Sequence, residues 1–470
     1  MEMIKHNPVT GSLVEELKLI VGGGNVLADP EAMASYSRDE TPHIEPHLPE
    51  VVVKPGDTAE VARVLVLANK AVVPVTPRGG GTGLNGGAVP IFGGIVMSLE
   101  RMNRIKEIDE ANFVAVVEPG VPLVELYRAV EDCGLYYPVY PGEKSAFIGG
   151  NVATNAGGMR AVKYGVTRSF VQGLEAVLPT GEIIRAGGKF VKCSTGYDLT
   201  QLIVGSEGTL AVVTEVTLRL IPPPGSQEVL FIPFIDLHQA IRAVPEILKQ
   251  RTSIAGLEFM EKDAIRYIEE YTERALPFHE HGAFLLAILE DDTQEEVYQA
   301  ASRVAEVCAQ YGSVDVYVPP SERAKRELME SREKLGPAMR RHGAEELADV
   351  VVPRSRIVDF VTLVKEISRR YEIPIVAFGH AGDGNVHLYP LREGMDAKKW
   401  EARLPRVMEE IYRGGASLGG MISGEHGLGF KKTAYLPLTM SREQIALMSR
   451  LKTAFDPNHI LNPGKVFDAG

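Results

Sequence analysis

The chain has 470 residues, 45% of them hydrophobic, so it is long enough for two or three domains, each with its own core. Its net charge of −12, without any basic cluster, excludes nucleic acid as the expected partner. It has no run of 18 apolar residues that would predict a transmembrane helix, and its three cysteines form no CxxC motif, which excludes an iron–sulfur cluster in this chain. We expect a soluble, cytoplasmic enzyme that reaches a membrane only through a partner.

The N-terminal third predicts short alternating helices and strands. Residues 11–21 have helical periodicity, and Asp29 followed by Pro30 marks a second helix start. Residues 51–54 are typical of a strand, and Asp57 is expected to cap a helix that runs to about Asn69. A further buried strand is predicted over residues 71–75, directly before a stretch rich in glycine.

The first glycine-rich stretch, residues 76–87, holds six glycines in twelve residues. Gly81, Gly83 and Gly86 match the dinucleotide-binding fingerprint, but that motif needs a helix after the glycines, and residues 87–94 are not expected to form one. Backbone N–H groups in such a turn form a concavity that suits phosphate oxygens. Two interpretations therefore stay open here, a purely structural loop and a phosphate-binding loop.

Two more stretches repeat this chemistry further along the chain. Residues 147–159 combine glycine pairs with small amide and hydroxyl side chains, and residues 205–210 read Gly-Ser-Glu-Gly-Thr-Leu. Around them we predict a helix over 122–132, two β runs within 174–184, a helix capped by Asp198 and a β-rich run over 209–220. The proline triplet at 222–224 marks the clearest domain boundary.

The region from 225 to about 410 alternates predicted strands, such as 228–234 and 283–289, with charged amphipathic helices, such as 293–310 and 321–342. This spacing favours an antiparallel sheet covered by helices. Within the region, His380 and His387 are separated by a glycine-rich turn that lets both face one point. A pair of histidines is more often structural, but Glu425 and His426 add a carboxylate and an imidazole between glycines.

The order and the residues of the three glycine-rich stretches resemble those of the FAD-binding domain of the vanillyl-alcohol-oxidase superfamily. The branch that looks most similar is that of the flavin-dependent D-2-hydroxy-acid dehydrogenases, and the resemblance runs from about residue 45 to the C-terminus. It implies an α+β fold with an FAD-binding domain over 1–222, an antiparallel-sheet cap domain over 223–410, and a C-terminal segment, 411–470, that returns to the flavin domain and completes the active site.

The resemblance also implies the flavin contacts. The family's pattern departs at Tyr140 and Glu143, where relatives often have Asp and Ser, and no histidine stands at Thr82–Gly83, so FAD is expected to bind non-covalently. The residues implied to contact FAD are Pro77, Arg78, Gly79, Gly80, Gly81, Thr82, Gly83, Asn85, Pro141, Gly142, Gly149, Gly150, Thr154, Asn155, Gly157, Gly158, Tyr164, Gly165, Glu207, Gly208 and Asn462.

The catalytic set follows from the same resemblance. His380, His387 and Glu425 would bind a divalent metal (Zn, Mn or Fe), His426 would be the catalytic base, and Arg332 would bind the substrate carboxylate. The 2-hydroxyglutarate enzymes carry a lysine where this chain has Leu347, which favours a small monocarboxylate, D-lactate ahead of glycolate.

Alternatives stay open on substrate, partner and reaction. D-2-hydroxyglutarate is the second candidate substrate, and a non-oxidative flavoenzyme similar to alkyl-glycerone-phosphate synthase is the alternative enzyme class. Because the chain predicts no cluster and no membrane span, its electrons must pass to a partner such as electron-transfer flavoprotein or an iron–sulfur subunit. The oligomeric state is left open between monomer and homodimer.

Overall fold

The computed structural model describes residues 5–250 and 253–467. Its strands are β1 (Val26–Leu27), β2 (Val51–Val53), β3 (Val75–Arg78), β4 (Ile95–Ser98), β5 (Ile105–Asp109), β6 (Val114–Val117), β7 (Val171–Val177), β8 (Ile183–Gly187), β9 (Val212–Arg219), β10 (Ser226–Phe234), β11 (Ile254–Glu261), β12 (Ala283–Asp291), β13 (Ala348–Val351), β14 (Ile375–His380) and β15 (Asn385–Pro390). Its helices are α1 (Gly11–Val21), α2 (Pro30–Met33), α3 (Thr58–Ala71), α4 (Leu123–Glu131), α5 (Ile148–Thr154), α6 (Ala161–Tyr164), α7 (Leu199–Ile203), α8 (Leu237–Lys249), α9 (Lys262–Thr272), α10 (Gln294–Gln310), α11 (Glu322–Glu333), α12 (Leu335–Arg341), α13 (Ile357–Tyr371), α14 (Ala397–Ser417) and α15 (Arg442–Phe455).

The chain forms two compact units. The first comprises residues 1–156, 166–223 and 425–470, and the second comprises 157–165 and 224–424. The chain therefore leaves the first unit twice and returns to it twice. The predicted division at 410/411 falls inside α14, whereas the structural division falls after Gly424.

A small sheet in the first unit has strand order β1-β2-β4-β3, with β4 parallel to both β2 and β3. Helix α3 begins where the Asp57 side chain accepts a hydrogen bond from the N–H of Glu60, and Val61, Val64, Leu65 and Ala68 recur on its buried face. The helix ends at Ala71, and Val72 follows in the left-handed conformation. The predicted strand over 71–75 is therefore wrong: the strand begins at Val75, because the helical C-cap occupies the preceding residues.

The second sheet of the first unit is antiparallel, with order β5-β6-β9-β7-β8. It contains the two β runs that were predicted within 174–184, and Asp198 caps α7 as expected. The third glycine-rich stretch follows α7 and leads into β9. The second glycine-rich stretch thus lies in the connection between β6 and β7, and the third lies in the connection between β8 and β9.

The second unit is built on a six-stranded antiparallel sheet with order β10-β12-β11-β14-β15-β13. The expected antiparallel sheet covered by helices is confirmed. The helix predicted over 321–342 is interrupted, because Lys334 leaves helical geometry between α11 and α12. In the part of the chain that the structure describes, no helix is long and apolar enough to cross a membrane.

Candidate active site

The first glycine-rich loop leaves β3 at Arg78 and contains no helix between residues 79 and 94. Residues 79–85 are mostly half-buried, and within the described residues no acceptor receives a hydrogen bond from their backbone N–H groups. Polar groups that leave water normally find a partner. A loop whose backbone N–H donors have no acceptor among the described residues is therefore chemically suited to the oxygens of a phosphate group.

The side chain of Arg78 packs against this loop at Gly81. Its guanidinium donates hydrogen bonds to the backbone oxygens of Arg38, at 2.9 Å, and Ser35, at 3.1 Å. A Cβ on Gly81 would lie only 2.1 Å from Nη2 of Arg78, and Gly81 has φ +71°, so glycine is required there for two reasons. Burial lowers the pKa of Arg78, and the negative charge of Asp39 opposes that shift.

The second glycine-rich stretch lies against the first within the same unit. It forms α5, which begins after Phe147. A Cβ on Gly79 would lie 3.5 Å from the Cβ of Phe147 and 3.6 Å from the backbone nitrogen of Gly150. On Gly149 a Cβ would meet the Cβ of Pro119 at 2.6 Å, so this position also requires glycine. The structure thus brings together two of the stretches implied to contact FAD.

The third stretch is joined to the C-terminal part of the chain by Glu207. Its buried carboxylate accepts hydrogen bonds from the N–H groups of Leu428, at 2.7 Å, and Gly429, at 2.8 Å. Asn462 donates to the backbone oxygens of Gly87 and Glu207, at 3.0 and 2.8 Å. Burial raises the pKa of Glu207, and the two N–H donors act in the opposite direction. These side chains hold segments of the first unit together.

Asn85 makes an equivalent connection from the first loop. Its side-chain amide donates to the backbone oxygens of His426, at 3.1 Å, and Gly427, at 2.8 Å. The backbone oxygen of Asn85 in turn accepts from the N–H of Phe430, at 3.2 Å. The segment that carries the predicted catalytic base is therefore held through its backbone by the loop implied to bind FAD.

The other residues implied to contact FAD have varied surroundings. Pro77 lies in β3, Gly142 lies in an exposed turn, and Asn155 is left-handed and accepts a hydrogen bond from the N–H of Arg168. Gly157, Gly158, Tyr164 and Gly165 belong to the second unit. There the Tyr164 hydroxyl donates to Glu290, at 2.6 Å.

The second unit brings His380 and His387 together. The strands β14 and β15 form a hairpin in which His380 pairs with Asn385, so His387 lies diagonally across from His380. The two Nε2 atoms are 3.2 Å apart, and each histidine is only 5% exposed. Two buried imidazoles whose Nε2 atoms converge can hold a divalent transition metal.

Each of these histidines has a carboxylate directly opposite it, on the strand that flanks the β14–β15 hairpin on that side. Glu258 of β11 pairs with His380, and its Oε1 is 2.7 Å from Nδ1 of His380. Asp349 of β13 pairs with His387, and its Oδ1 is 3.6 Å from Nδ1 of His387. A carboxylate hydrogen-bonded to Nδ1 orients the ring and keeps the lone pair on Nε2 for a metal, and Glu258 is close enough to do this for His380. The distance from Asp349 to Nδ1 of His387 is too long for a hydrogen bond.

The same two acids engage further groups. Oε2 of Glu258 lies 2.5 Å from Nη2 of Arg332, whose guanidinium also sits 5.1 Å from the ring centre of Phe378. Asp349 accepts hydrogen bonds from the Ser423 hydroxyl, at 2.9 Å, and from the N–H of Gly424, at 3.0 Å. Both acids are fully buried.

Two models of known protein families match successive parts of the chain. A family model described as "FAD binding domain" matches residues 49–187, and one described as "FAD linked oxidases, C-terminal domain" matches residues 223–466, more than half of the chain. The chain belongs to the FAD-linked oxidases. The presence of an FAD-binding domain and the assignment as a flavin-linked oxidoreductase are thereby confirmed.

Two relatives match this FAD-linked oxidase over nearly their whole length. The D-lactate dehydrogenase of Anaerostipes hadrus is 40% identical, and the match covers 99% of both chains. The glycolate oxidase subunit GlcD of Bacillus subtilis is 39% identical over 98% of this chain and 97% of the relative. A solved structure of p-cresol methylhydroxylase aligns with a TM-score of 0.81 at 19% identity, over 98% of both chains, and confirms the fold alone.

The two buried acids of this FAD-linked oxidase are the functional candidates that the sequence motifs did not indicate. By sequence, Asp349 is only one of the acidic neighbours of Leu347, and Glu258 has no motif around it. A signal was nevertheless present, since Asp349 interrupts an otherwise apolar β run, and Glu258 stands in a β run whose one other charged residue is the final Glu261. Charged side chains are rarely placed on fully buried strands unless they are paired.

Glu425 and His426 open the C-terminal segment of the first unit. Each is about one-sixth exposed, and Nε2 of His426 lies 3.8 Å from Oε1 of Glu425. A peptide bond joins Glu425 to Gly424, whose N–H donates to Asp349. The roles of Glu425, His426 and Arg332 stay predictions.

Proposed function

We propose that this FAD-linked oxidase oxidises a small D-2-hydroxy acid to the corresponding 2-oxo acid, with D-lactate preferred to glycolate. The observation that carries the proposal is the buried pair His380–His387, each backed by a carboxylate across the sheet, in a chain with an FAD-binding domain. A purely structural pair would not need a buried acid opposite each histidine, one of which, Glu258, is hydrogen-bonded to the ring of His380.

FAD would be bound non-covalently by the backbone N–H groups of residues 79–85, which have no acceptor among the described residues, together with the stretches at 149–158 and 205–208. When bound, the flavin supplies the acceptor for the hydride that leaves the substrate Cα. The segments that Asn85, Glu207 and Asn462 hold together keep these turns in place before the cofactor arrives. Such preorganisation lowers the entropic cost of binding.

His380 and His387 would hold a divalent metal with Glu425 as the third ligand. When bound, the metal lowers the pKa of the substrate hydroxyl and orients its Cα–H bond. His426 would accept the hydroxyl proton, and Asn85 holds the backbone of that residue without engaging its ring.

Arg332 would bind the substrate carboxylate. Its Nε is buried and has no hydrogen-bond partner among the residues described, while Glu258 neutralises its charge. A guanidinium can present parallel N–H groups to a second carboxylate beside the first.

The environment of Leu347 supports a small substrate. Leu347 is 4% exposed and precedes β13, and nearby Glu345 is paired with Arg392. This position therefore offers no cation to a distal carboxylate. D-2-hydroxyglutarate is the second candidate substrate, and electron-transfer flavoprotein or an iron–sulfur subunit is the proposed electron acceptor.

Anaerobic mixing of the purified holoenzyme with D-lactate, glycolate, D-2-hydroxyglutarate and their L-isomers tests this function. We expect D-lactate to bleach the flavin absorbance fastest and the L-acids to leave it oxidised. Chelation of the metal should stop bleaching while FAD stays bound, and acid denaturation should release intact FAD. A flavin that no hydroxy acid bleaches would contradict the oxidation and favour a non-oxidative reaction of the alkyl-glycerone-phosphate-synthase type.

A further inference from the structure

Asp39 has a buried oxygen that the fold leaves without a partner. The residue is 8% exposed and lies between α2 and β2. Its Oδ1 accepts a hydrogen bond from the N–H of Thr41, at 3.1 Å. Its Oδ2 is buried and has no hydrogen-bond partner among the described residues. An unsatisfied buried carboxylate oxygen is costly, so a partner from outside the chain is expected there.

The unpartnered oxygen points at the first glycine-rich loop. A Cβ built on Gly83 would lie 3.3 Å from Oδ2 of Asp39. Gly83 belongs to residues 79–85, whose backbone N–H groups have no acceptor in the part of the chain that the structure describes. The first unit therefore places hydrogen-bond donors and one buried acceptor beside each other.

This combination selects the chemistry of the ligand. Phosphate oxygens satisfy N–H donors, but an ionised phosphate cannot donate a hydrogen bond to a carboxylate. A hydroxyl can donate to a charged carboxylate and accept from a neutral carboxyl. It therefore suits Asp39 in either state, although burial raises the pKa of Asp39 against the opposing effects of Thr41, the backbone N–H of Ala88 and the charge of Arg78.

We propose that Asp39 binds a hydroxyl group of FAD, either on the ribose of the adenosine half or on the ribityl chain. The inference rests on the proposed binding of FAD at residues 79–85. It assigns to Asp39 the recognition of a sugar hydroxyl next to the phosphates that the loop N–H groups would bind. This contact would select against ligands that offer phosphate alone.

Apoprotein of the wild type and of Asp39→Ala is titrated with FAD and with FAD analogues that each lack one ribose or ribityl hydroxyl, with flavin fluorescence as the readout. We expect the wild type to bind one analogue about tenfold or more weakly than FAD. Asp39→Ala should bind FAD weaker by a similar factor and should no longer distinguish FAD from that analogue. The analogue that shows this behaviour identifies the ribose or the ribityl chain as the source of the hydroxyl.

Two further variants keep the test decisive. Asp39→Asn retains an oxygen for the Thr41 N–H and should fold even where Asp39→Ala does not, with discrimination against the analogue smaller than in the wild type. Glu40→Ala removes the adjacent, exposed carboxylate and should bind all ligands like the wild type. If the Asp39 variants discriminate among the analogues as the wild type does, Asp39 does not bind the hydroxyl, and the proposed function is unaffected. If the wild type binds no FAD, both the role of Asp39 and the proposed function are overturned.

Discussion

Oε1 of Glu258 lies 2.7 Å from Nδ1 of His380, and both side chains are buried on neighbouring strands. The other oxygen of the same carboxylate neutralises Arg332. One acid therefore orients a proposed metal ligand and compensates the charge of the proposed substrate-binding guanidinium. Glu258 would couple these two proposed functions, whose residues lie far apart in the sequence.

Glu258→Gln should weaken metal binding by about 10–100-fold, because a neutral amide holds the Nδ1–H of His380 less strongly than a carboxylate does. Titration of the holoenzyme with Zn²⁺ or Mn²⁺ against a competing chelator measures the affinity. FAD content should stay at the wild-type level. Glu261→Gln, on the same strand but paired with Lys365, is the matched control and should leave metal affinity unchanged. Equal affinities for wild type and Glu258→Gln would show that Glu258 has no such role.

His426→Ala should slow flavin reduction by roughly 10²–10⁴, the usual contribution of a positioned general base. Substrate affinity and FAD content should change little, since Asn85 holds the backbone of residue 426 and not its ring. Stopped-flow reduction over a range of D-lactate concentrations separates rate from affinity. Reduction at nearly the wild-type rate would exclude His426 as the base.

Leu347→Lys should raise the ratio of kcat/KM for D-2-hydroxyglutarate to that for D-lactate, since it supplies a cation for a distal carboxylate. Leu347→Met keeps the site apolar at similar volume and should leave the ratio unchanged. Steady-state kinetics with both substrates give the ratio for each variant. A wild type that already prefers the dicarboxylate would remove the basis for D-lactate.

Lys465 predicts a pH-dependent stability. Its ammonium donates to the backbone oxygen of Val89, and burial lowers its pKa to about 7, against the attraction of Asp39 and Glu207. Above that pH the unfolded chain binds a proton that the folded chain has lost, so stability gains from this group as pH rises toward the ordinary lysine pKa of about 10.4. Below pH 7 the buried charge costs its full penalty.

The melting temperature of the wild type relative to Lys465→Met should therefore rise between about pH 7 and pH 9.5, as differential scanning fluorimetry can measure. Lys70→Met, which alters an exposed lysine of α3, is the control and should keep a constant offset. A Lys465→Met offset that stays flat over the same range would mean that Lys465 keeps its proton in the folded protein.

Local chemistry was enough to predict much of the fold. The capping acids Asp57 and Asp198 and the apolar spacing of α3 act over a few residues, so their patterns can be interpreted along the chain. The failures were local too, at the C-cap on Val72 and at the break at Lys334, where short apolar or charged runs do not distinguish a helix end from a strand or a continuous helix.

The sequence by itself determined the family, the presence of three glycine-rich stretches and the histidines that are candidate ligands. Only the tertiary structure decided which buried acids contact these stretches and histidines. Glu258 is 122 residues from His380 in the chain, and they meet because β11 and β14 pair in a register that places them opposite each other. Likewise, Asp39 points at Gly83 through the packing of the first unit. Register and packing are set by contacts summed over whole strands and cores, so no local pattern around either acid specifies its partner.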